Sequence, residues 1–340
     1  MSVRVAINGF GRIGRNFIRA LREADTDLDL VAINDLVDIE TNATLLRSDS
    51  TQGRFKGSVD IGNDGLVIDG KPVKIYAERD PKNLPWKELD IDVVVESTGR
   101  FTNRDDAYLH VAAGAKRVVV SAPSKGADAT IVMGVNEETF DPNVHMVISN
   151  ASCTTNCFVP MVKVIDDAFT LRTALMTTVH AMTNDQNLLD LAHSDLRRAR
   201  AASINIVPTS TGAARATGLV MQAMAGKLDG TSLRVPVIDG SITDMTGIVE
   251  KKVSVEEINE AFHKAATESR LSRVLSYSTD PLVSSDIIGN PSSCIFDSPL
   301  TMAQDAGGGA TLIKIFGWYD NEWGYSNRLV DLVDYVGKKA

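Results

Sequence analysis

Val3-Arg4-Val5-Ala6-Ile7-Asn8-Gly9-Phe10-Gly11-Arg12-Ile13-Gly14 decides the fold of the first half of this chain. The apolar residues Val3–Ile7 read as a strand, and the glycines after them open a helix. Glycines at this spacing let backbone approach a pyrophosphate and let the helix pack close to the strand, while the helix N-terminus faces the phosphates. Asp35 closes the second strand, where a carboxylate accepts hydrogen bonds from ribose hydroxyls. Strand, glycine turn, helix and acid together predict a dinucleotide site built from Gly9, Phe10, Gly11, Arg12, Ile13, Gly14 and Asp35. Arg12 is placed to meet the pyrophosphate. The charge of Asp35 repels the 2′-phosphate of NADP, and Leu36 supplies no compensating cation, so NAD is favoured over NADP.

Working outward, short apolar runs at Val3–Ile7, Leu30–Ile33, Val93–Val95, Val118–Val120, Ile131–Met133 and Met146–Ile148 alternate with helical patterns. That alternation predicts a mostly parallel sheet with helices on its faces, a Rossmann-type α/β domain. Asp60–Lys71 differs, its Asn-Asp-Gly and Asp-Gly-Lys turns predicting inserted antiparallel hairpins. After residue 153 the pattern changes. Long strand-like runs at Arg172–His180, Ser232–Val237, Thr243–Val253 and Thr311–Trp318 alternate with helical segments at Thr211–Met224 and Val255–Glu268. These predict a second, α+β domain on a mixed or antiparallel sheet. Ser326–Lys339 reads as a closing amphipathic helix.

The junction carries the chemistry. Ser149-Asn150-Ala151-Ser152-Cys153-Thr154-Thr155-Asn156-Cys157 sets a cysteine among small hydroxyl and amide residues, just before Phe158, Val159, Met161, Val162, Val164, Ile165 and Ala168 at helical spacing. With Ser152 as cap, Cys153 falls in the first turn, where the helix dipole stabilises a thiolate nucleophile. His180 ends the run Thr177-Thr178-Val179-His180 and is the partner a nucleophilic cysteine needs. The other four histidines, His110, His145, His193 and His263, stand in helical or surface-like contexts.

The run 149–157 resembles the active-site signature of the phosphorylating glyceraldehyde-3-phosphate dehydrogenase family. The likeness runs from Ile7–Gly14 to Trp318-Tyr319-Asp320-Asn321-Glu322-Trp323-Gly324-Tyr325-Ser326, nearly the whole chain. The resemblance implies a dinucleotide-binding domain over residues 1–152, a catalytic domain over 153–325, and a helix of about 326–340 packing back on the first. It implies oxidation and phosphorylation of D-glyceraldehyde 3-phosphate to 1,3-bisphosphoglycerate with NAD reduction. Cys153 forms a thiohemiacetal and then a thioester, with His180 as base. Arg79 and Ser121 are implied around the adenine and nicotinamide halves, and Asn321 on the nicotinamide carboxamide. Thr183 and Arg234 are implied at the substrate phosphate, and Ser152, Thr154, Arg198, Thr211 and Gly212 at the attacking inorganic phosphate. Arg197 and Arg200 are left to structure or assembly. The family's homotetramer is implied as well, with Thr183–Asn205 between subunits. The sequence departs from the family at Met182, where relatives have an aromatic residue, and at Leu191-Ala192, where NAD-preferring relatives have Leu-Pro.

Composition narrows the alternatives. The chain has 340 residues, 44% hydrophobic and 23% charged, with a net charge of −9. An acidic chain without a basic aromatic patch is not primarily a nucleic-acid or membrane-surface binder. Three cysteines, two of them a helical turn apart, do not form a disulfide framework, and the opening strand leaves no signal peptide; the expected setting is cytoplasmic. Cys157 packs beside Cys153 or bonds to it under oxidation, and Cys294 reads as a core thiol. No metal-ligand spacing occurs. The competing readings are an erythrose-4-phosphate dehydrogenase ending in hydrolysis, a surface or RNA-associated binder, and a Cys–His hydrolase without cofactor, the last opposed by the glycine turn and Asp35.

Overall fold

The computed structural model describes residues 2–339; Met1 and Ala340, the ends of the expected first domain and of the closing helix, lie outside the described residues. The chain divides into two compact units. One runs to Ile131, takes in Glu137–Ala151 and regains the chain at Ser326; the other holds Val132–Asn136 and Ser152–Tyr325.

In the first unit, β1 (Val3–Asn8) leads through the glycine turn into α1 (Arg12–Glu23) and back to β2 (Leu28–Asn34). The hairpin strands β3 (Val59–Ile61), β4 (Gly65–Ile68) and β5 (Lys71–Tyr76) follow, then β6 (Val93–Glu96), β7 (Arg117–Val120), β8 (Ala129–Thr130) and β9 (Val147–Ser149). The sheet order is β8-β9-β7-β6-β1-β2-β5-β4-β3. Pairing is parallel from β8 to β5 and antiparallel only through the β5-β4-β3 meander. All of β6 is buried, as a central parallel strand covered on both faces must be. Each Val side chain taken out of water there contributes about 1.5–3 kcal/mol. The register places Asn8 opposite both Asn34 and Glu96, so three polar residues end three adjacent strands side by side.

One expected strand lies earlier than its predicted bounds: β8 occupies Ala129–Thr130, and Ile131 N–H still meets the Ser149 carbonyl at 2.9 Å. Ile131–Met133 is not a strand; Gly134 takes a left-handed φ of +84° and the chain turns, with Val135 N–H on the Val132 carbonyl at 3.0 Å. Val132–Asn136 lies in the second unit, where Gly134 packs on Val274 and the Arg270 guanidinium donates to the Val135 carbonyl.

The second unit opens with α2 (Cys153–Phe169), then β10 (Leu171–Ala181), β11 (Val207–Ser210), α3 (Ala213–Val220), β12 (Leu228–Val235) and β13 (Ser241–Val249). It continues with α4 (Val255–Glu268), β14 (Leu275–Ser278), β15 (Cys294–Asp297), β16 (Met302–Gly307) and β17 (Ala310–Tyr319). The order is β11-β12-β10-β13-β17-β15-β14, with β16 also on β17. The sheet is mixed: β10–β12 and β14–β15 pair in parallel, the rest antiparallel. Along β10 the buried row Ala174, Met176, Thr178, His180 alternates with residues of the other face, among them the exposed Leu175. His180 therefore points to the side that holds the core. The final helix, α5 (Trp323–Lys338), groups with the first unit from Ser326 onward, where Gly337 lies against Val3 and Asp334 accepts from the Thr26 hydroxyl.

Candidate active site

Ser152 caps α2: its hydroxyl accepts from the Thr155 N–H at 3.0 Å. Cys153 is thereby the first helical residue. Its Sγ lies 3.5 Å from His180 Nε2. His180 Nδ1 lies 2.7 Å from the Ala181 carbonyl, which can only accept. The proton therefore sits on Nδ1, and Nε2 turns its lone pair to the sulfur. The geometry is that of a thiol facing its base.

Burial dominates the electrostatics of the pair. Burial pushes the Cys153 thiol up to about 11, and Arg234 only partly offsets it. Burial, followed by Arg234, drives His180 down to about 3. Desolvation thus works against the thiolate that a helix start favours, and against the imidazolium. Cys153 keeps some solvent exposure, which moderates the desolvation it feels.

Parallel register sets Arg234 on β12 directly opposite His180 on β10. The Arg234 guanidinium donates to the Thr183 hydroxyl, and Thr183 in turn donates to Asp185. Arg198 Nη1 donates to Asp185 Oδ2 at 2.5 Å, and its Nε donates to the Thr209 hydroxyl at 2.9 Å. Asp185 also lies 3.8 Å from Arg234, so one carboxylate stands between two arginines. Burial works against that charge, and the Thr183 hydroxyl with the two arginines holds Asp185 below the usual carboxylate range. Gly212 is the N-cap of α3; the Thr211 hydroxyl before it accepts from Ala213 N–H at 3.2 Å, and a Cβ built on Gly212 meets nothing within 4 Å. Thr183, Arg198 and Arg234 form one cluster. Thr154 instead spends its buried hydroxyl on Tyr319 at 2.8 Å.

Tyr319 is a site residue that sequence reading missed. Its hydroxyl meets both Thr154 and Thr178 at 2.8 Å, and its ring stands edge-on to the His180 ring at 5.9 Å. Asp185 and Ser241 were missed too. Ser241 accepts from the Ala181 N–H at 3.0 Å and donates to Asn321 Oδ1 at 2.7 Å, tying Asn321 to the strand that carries His180. Cys157 is fully buried, 3.5 Å from the Gly317 carbonyl, and burial beside Cys294 raises its thiol well above the ordinary range.

Asp239, fully buried between β12 and β13, yields a pH prediction. Burial, then the charges of Asp320 and Glu322, push it up to about 9. The unfolded chain sheds this proton near the ordinary 3.8. Between those values the folded state binds more protons, so stability falls as pH rises through the window. Asp239→Asn cannot titrate. Its melting temperature relative to the wild type is expected to climb steadily from pH 5 to pH 9; a constant difference in calorimetry contradicts the assignment.

In the first unit, Gly9 has φ +95°, and a Cβ there meets the Thr98 backbone nitrogen at 2.5 Å. A Cβ on Gly14 meets the Gly9 carbonyl oxygen at 2.3 Å, whereas one on Gly11 projects into open space. The turn thus packs tightly on its inner side and leaves room outside for a bulky phosphate group. Asp35 is fixed by two backbone donors, Phe10 N–H at 2.6 Å and Val37 N–H at 2.9 Å. A cavity of about 320 Å³ is lined by Gly9, Gly11, Asp35 and Arg79, together with Asn8 and Asn34. Ile13 is half-buried in the first turn of α1. Ser121 follows β7, beyond β6 from the glycine turn, with its N–H on the Glu96 carbonyl. The Arg12 guanidinium makes a bidentate pair with Asp49 at 2.9 and 3.1 Å. Despite the cost of burial, Arg12 brings the Asp49 carboxyl down to about 2. Fit between these residues and a dinucleotide is good, since the cradle, the open side and the ribose acid are all present.

Among the described residues no helix is long and apolar enough to cross a membrane, and no group of three or more His, Cys, Asp or Glu is placed to hold a metal.

Two family models match the chain. Residues 3–104 match the glyceraldehyde 3-phosphate dehydrogenase NAD binding domain, and residues 152–321 match the C-terminal domain of the same family. The chain is 56% identical over 339 residues to glyceraldehyde-3-phosphate dehydrogenase 2 of Streptomyces avermitilis, covering 100% of both proteins. It is 52% identical over 340 residues to the glyceraldehyde-3-phosphate dehydrogenase of Geobacillus stearothermophilus, again over 100% of both. Against the Mycobacterium avium enzyme of that name the identity is 55%, over 99% of each chain. Matched in both halves and along its whole length, the chain belongs to the glyceraldehyde 3-phosphate dehydrogenase family.

Proposed function

We propose that the protein oxidises D-glyceraldehyde 3-phosphate to 1,3-bisphosphoglycerate, with inorganic phosphate as acyl acceptor and NAD preferred over NADP. The observation that carries this reading is the thiol of Cys153 facing the lone pair of His180, with a cluster of Arg198, Arg234 and Thr183 in the same unit. Residues 1–152 then serve as the dinucleotide-binding domain and 153–325 as the catalytic domain.

His180 Nε2 takes the thiol proton as sulfur bonds to the aldehyde carbon, then hands it to the carbonyl oxygen to give a thiohemiacetal, which leaves the imidazole neutral again. His180 next removes that hydroxyl proton while the carbon loses hydride, leaving a thioester on Cys153. Bound nicotinamide supplies the hydride acceptor. A phosphate oxygen then attacks the acyl carbon, the C–S bond breaks, and Cys153 leaves as thiolate. The Cys153 backbone N–H in the first turn of α2 and the His180 imidazolium stabilise the developing oxyanion. Arg234 and Thr183 hold the substrate phosphate. Ser152, Arg198, Thr211 and Gly212, with Thr154 through its backbone, hold the attacking phosphate. Asn321, fixed by Ser241, orients the nicotinamide carboxamide, and Arg79 and Ser121 serve the two ends of the dinucleotide.

Two further points support the wider reading. Leu188, Leu189, Leu191, Leu196, Ile204 and Ile206 are all exposed on a single chain, an apolar surface that subunit contact in a homotetramer would cover. All three cysteines are free, in keeping with a reducing cytoplasm. Purified protein should reduce NAD with the aldehyde rapidly only when phosphate is present; turnover indifferent to phosphate favours hydrolysis, and erythrose 4-phosphate becomes the next substrate to try. Asp35→Asn removes the charge that repels a 2′-phosphate. The kcat/KM ratio of NAD to NADP is expected to fall about tenfold or more, the scale of one nearby charge at reduced dielectric. An unchanged ratio removes Asp35 from that role.

A further inference from the structure

His110 is fully buried in the one-turn helix Leu109–Ala112, and sequence reading gave it no part. Its ring is held on both sides. Trp86 Nε1, which can only donate, lies 3.0 Å from His110 Nδ1. Nδ1 is therefore the acceptor, and the Nε2 proton points at Glu96 Oε2, 3.0 Å away. Glu96 is itself buried at the end of β6. Its Oε2 also accepts from Asn8 Nδ2 at 2.6 Å, and its Oε1 accepts from Thr98 N–H at 2.8 Å. Asn8 Oδ1 accepts from Asn34 Nδ2 at 2.7 Å, and Asn34 clamps Glu78 by accepting its N–H at 2.8 Å and donating to its carbonyl at 2.9 Å.

This chain of contacts runs from a tryptophan in the core to the cavity beside the glycine turn. Asn8, Asn34, Glu78 and Thr98 all line that cavity, whereas His110 and Trp86 do not. Asn8 precedes the turn directly, and Asn34 precedes Asp35. We infer that His110 is a positioning residue for the dinucleotide: acting through the buried Glu96 carboxylate, it fixes the Asn8–Asn34 floor on which the glycine turn and Asp35 are set. The inference rests on reading the turn as the dinucleotide site.

A satisfied buried network of this type holds one arrangement of its members, and removing a member leaves polar groups without partners. His110→Ala takes away the donor to Glu96 and the acceptor of Trp86. His110→Gln restores an N–H that reaches Glu96. Trp86→Phe keeps an aromatic ring, removes only the indole N–H, and carries the test where His110→Ala does not fold.

The experiment measures the Kd of NAD by calorimetry, KM against kcat in steady state, and the 19F resonance of Trp86 in protein labelled with 5-fluorotryptophan. His110→Ala is expected to raise Kd and KM for NAD about tenfold, the fold-change of one lost hydrogen bond to a charged group, with a much smaller change in kcat. His110→Gln should recover most of that loss, Trp86→Phe should weaken NAD binding in the same direction, and NAD should shift the Trp86 resonance of the wild type. NAD binding unchanged in both His110→Ala and Trp86→Phe, equal loss in the alanine and glutamine variants, or a Trp86 resonance unmoved by NAD overturns the inference. Wild-type protein that binds no NAD overturns the dinucleotide reading, and this inference with it.

Discussion

Turnover in Cys153→Ser falls by at least about 10⁴-fold, with little change in the melting temperature. The serine hydroxyl is nearly the size of the thiol but a far poorer nucleophile at neutral pH, and removal of a covalent nucleophile ordinarily costs this much or more. The site around it does not depend on the sulfur for its shape: Ser152 still caps α2, and Ala181 still orients His180. NAD binding should therefore survive in the variant, which separates loss of chemistry from loss of the cofactor site. Activity within tenfold of the wild type assigns the nucleophile elsewhere.

The second large effect is that of His180→Gln. A general base in this role contributes about 10²–10⁴-fold, and both the thiol deprotonation and the oxidation step use it here. The charge state sharpens the expectation. With burial holding the thiol at about 11, loss of the imidazole leaves thiolate formation to bulk hydroxide. Alkylation of Cys153 by iodoacetamide at pH 7 should slow markedly in the variant, and its rate should rise about tenfold per pH unit toward that value. In the wild type burial keeps the imidazole neutral, and its Nε2 lone pair faces the sulfur at 3.5 Å, so the proton passes to it as the new bond to sulfur forms. An alkylation profile identical in both proteins removes His180 from activation of the thiol.

What could be read from the sequence was what is decided locally. Ser152 and Cys153 belong to one helix start, and a cap with an apolar stripe behind it announces that start without help from the rest of the chain. The glycine turn is equally local, its requirements set by contacts such as Gly14 with the Gly9 carbonyl. Long strands with alternating burial, β10 above all, also declare themselves. The features that escaped depend on residues brought together from afar. Tyr319 meets Thr154 and Thr178 only because β17 and β10 flank β13, and His110 meets Glu96 only because a one-turn helix lies against the end of β6. The pairing of Arg12 with Asp49, well along the chain, is equally invisible in the sequence. The electrostatics of the thiol divide the same way: a helix dipole is visible in sequence, whereas the burial that works against a thiolate is not. At Ile131–Met133 three apolar-flanked residues looked like a strand, but Gly134 supplies a left-handed turn and Arg270 takes up the carbonyl beyond it.

The central claim is that Cys153 carries the acyl group that phosphate then receives. Protein mixed with NAD and glyceraldehyde 3-phosphate in phosphate-free buffer, quenched in acid and digested, tests it by mass spectrometry. The account predicts one phosphoglyceroyl thioester on the peptide containing Cys153, formed together with one reduced dinucleotide and discharged on adding inorganic phosphate. An adduct on another residue, reduction without any adduct, or a thioester that phosphate leaves in place would contradict it.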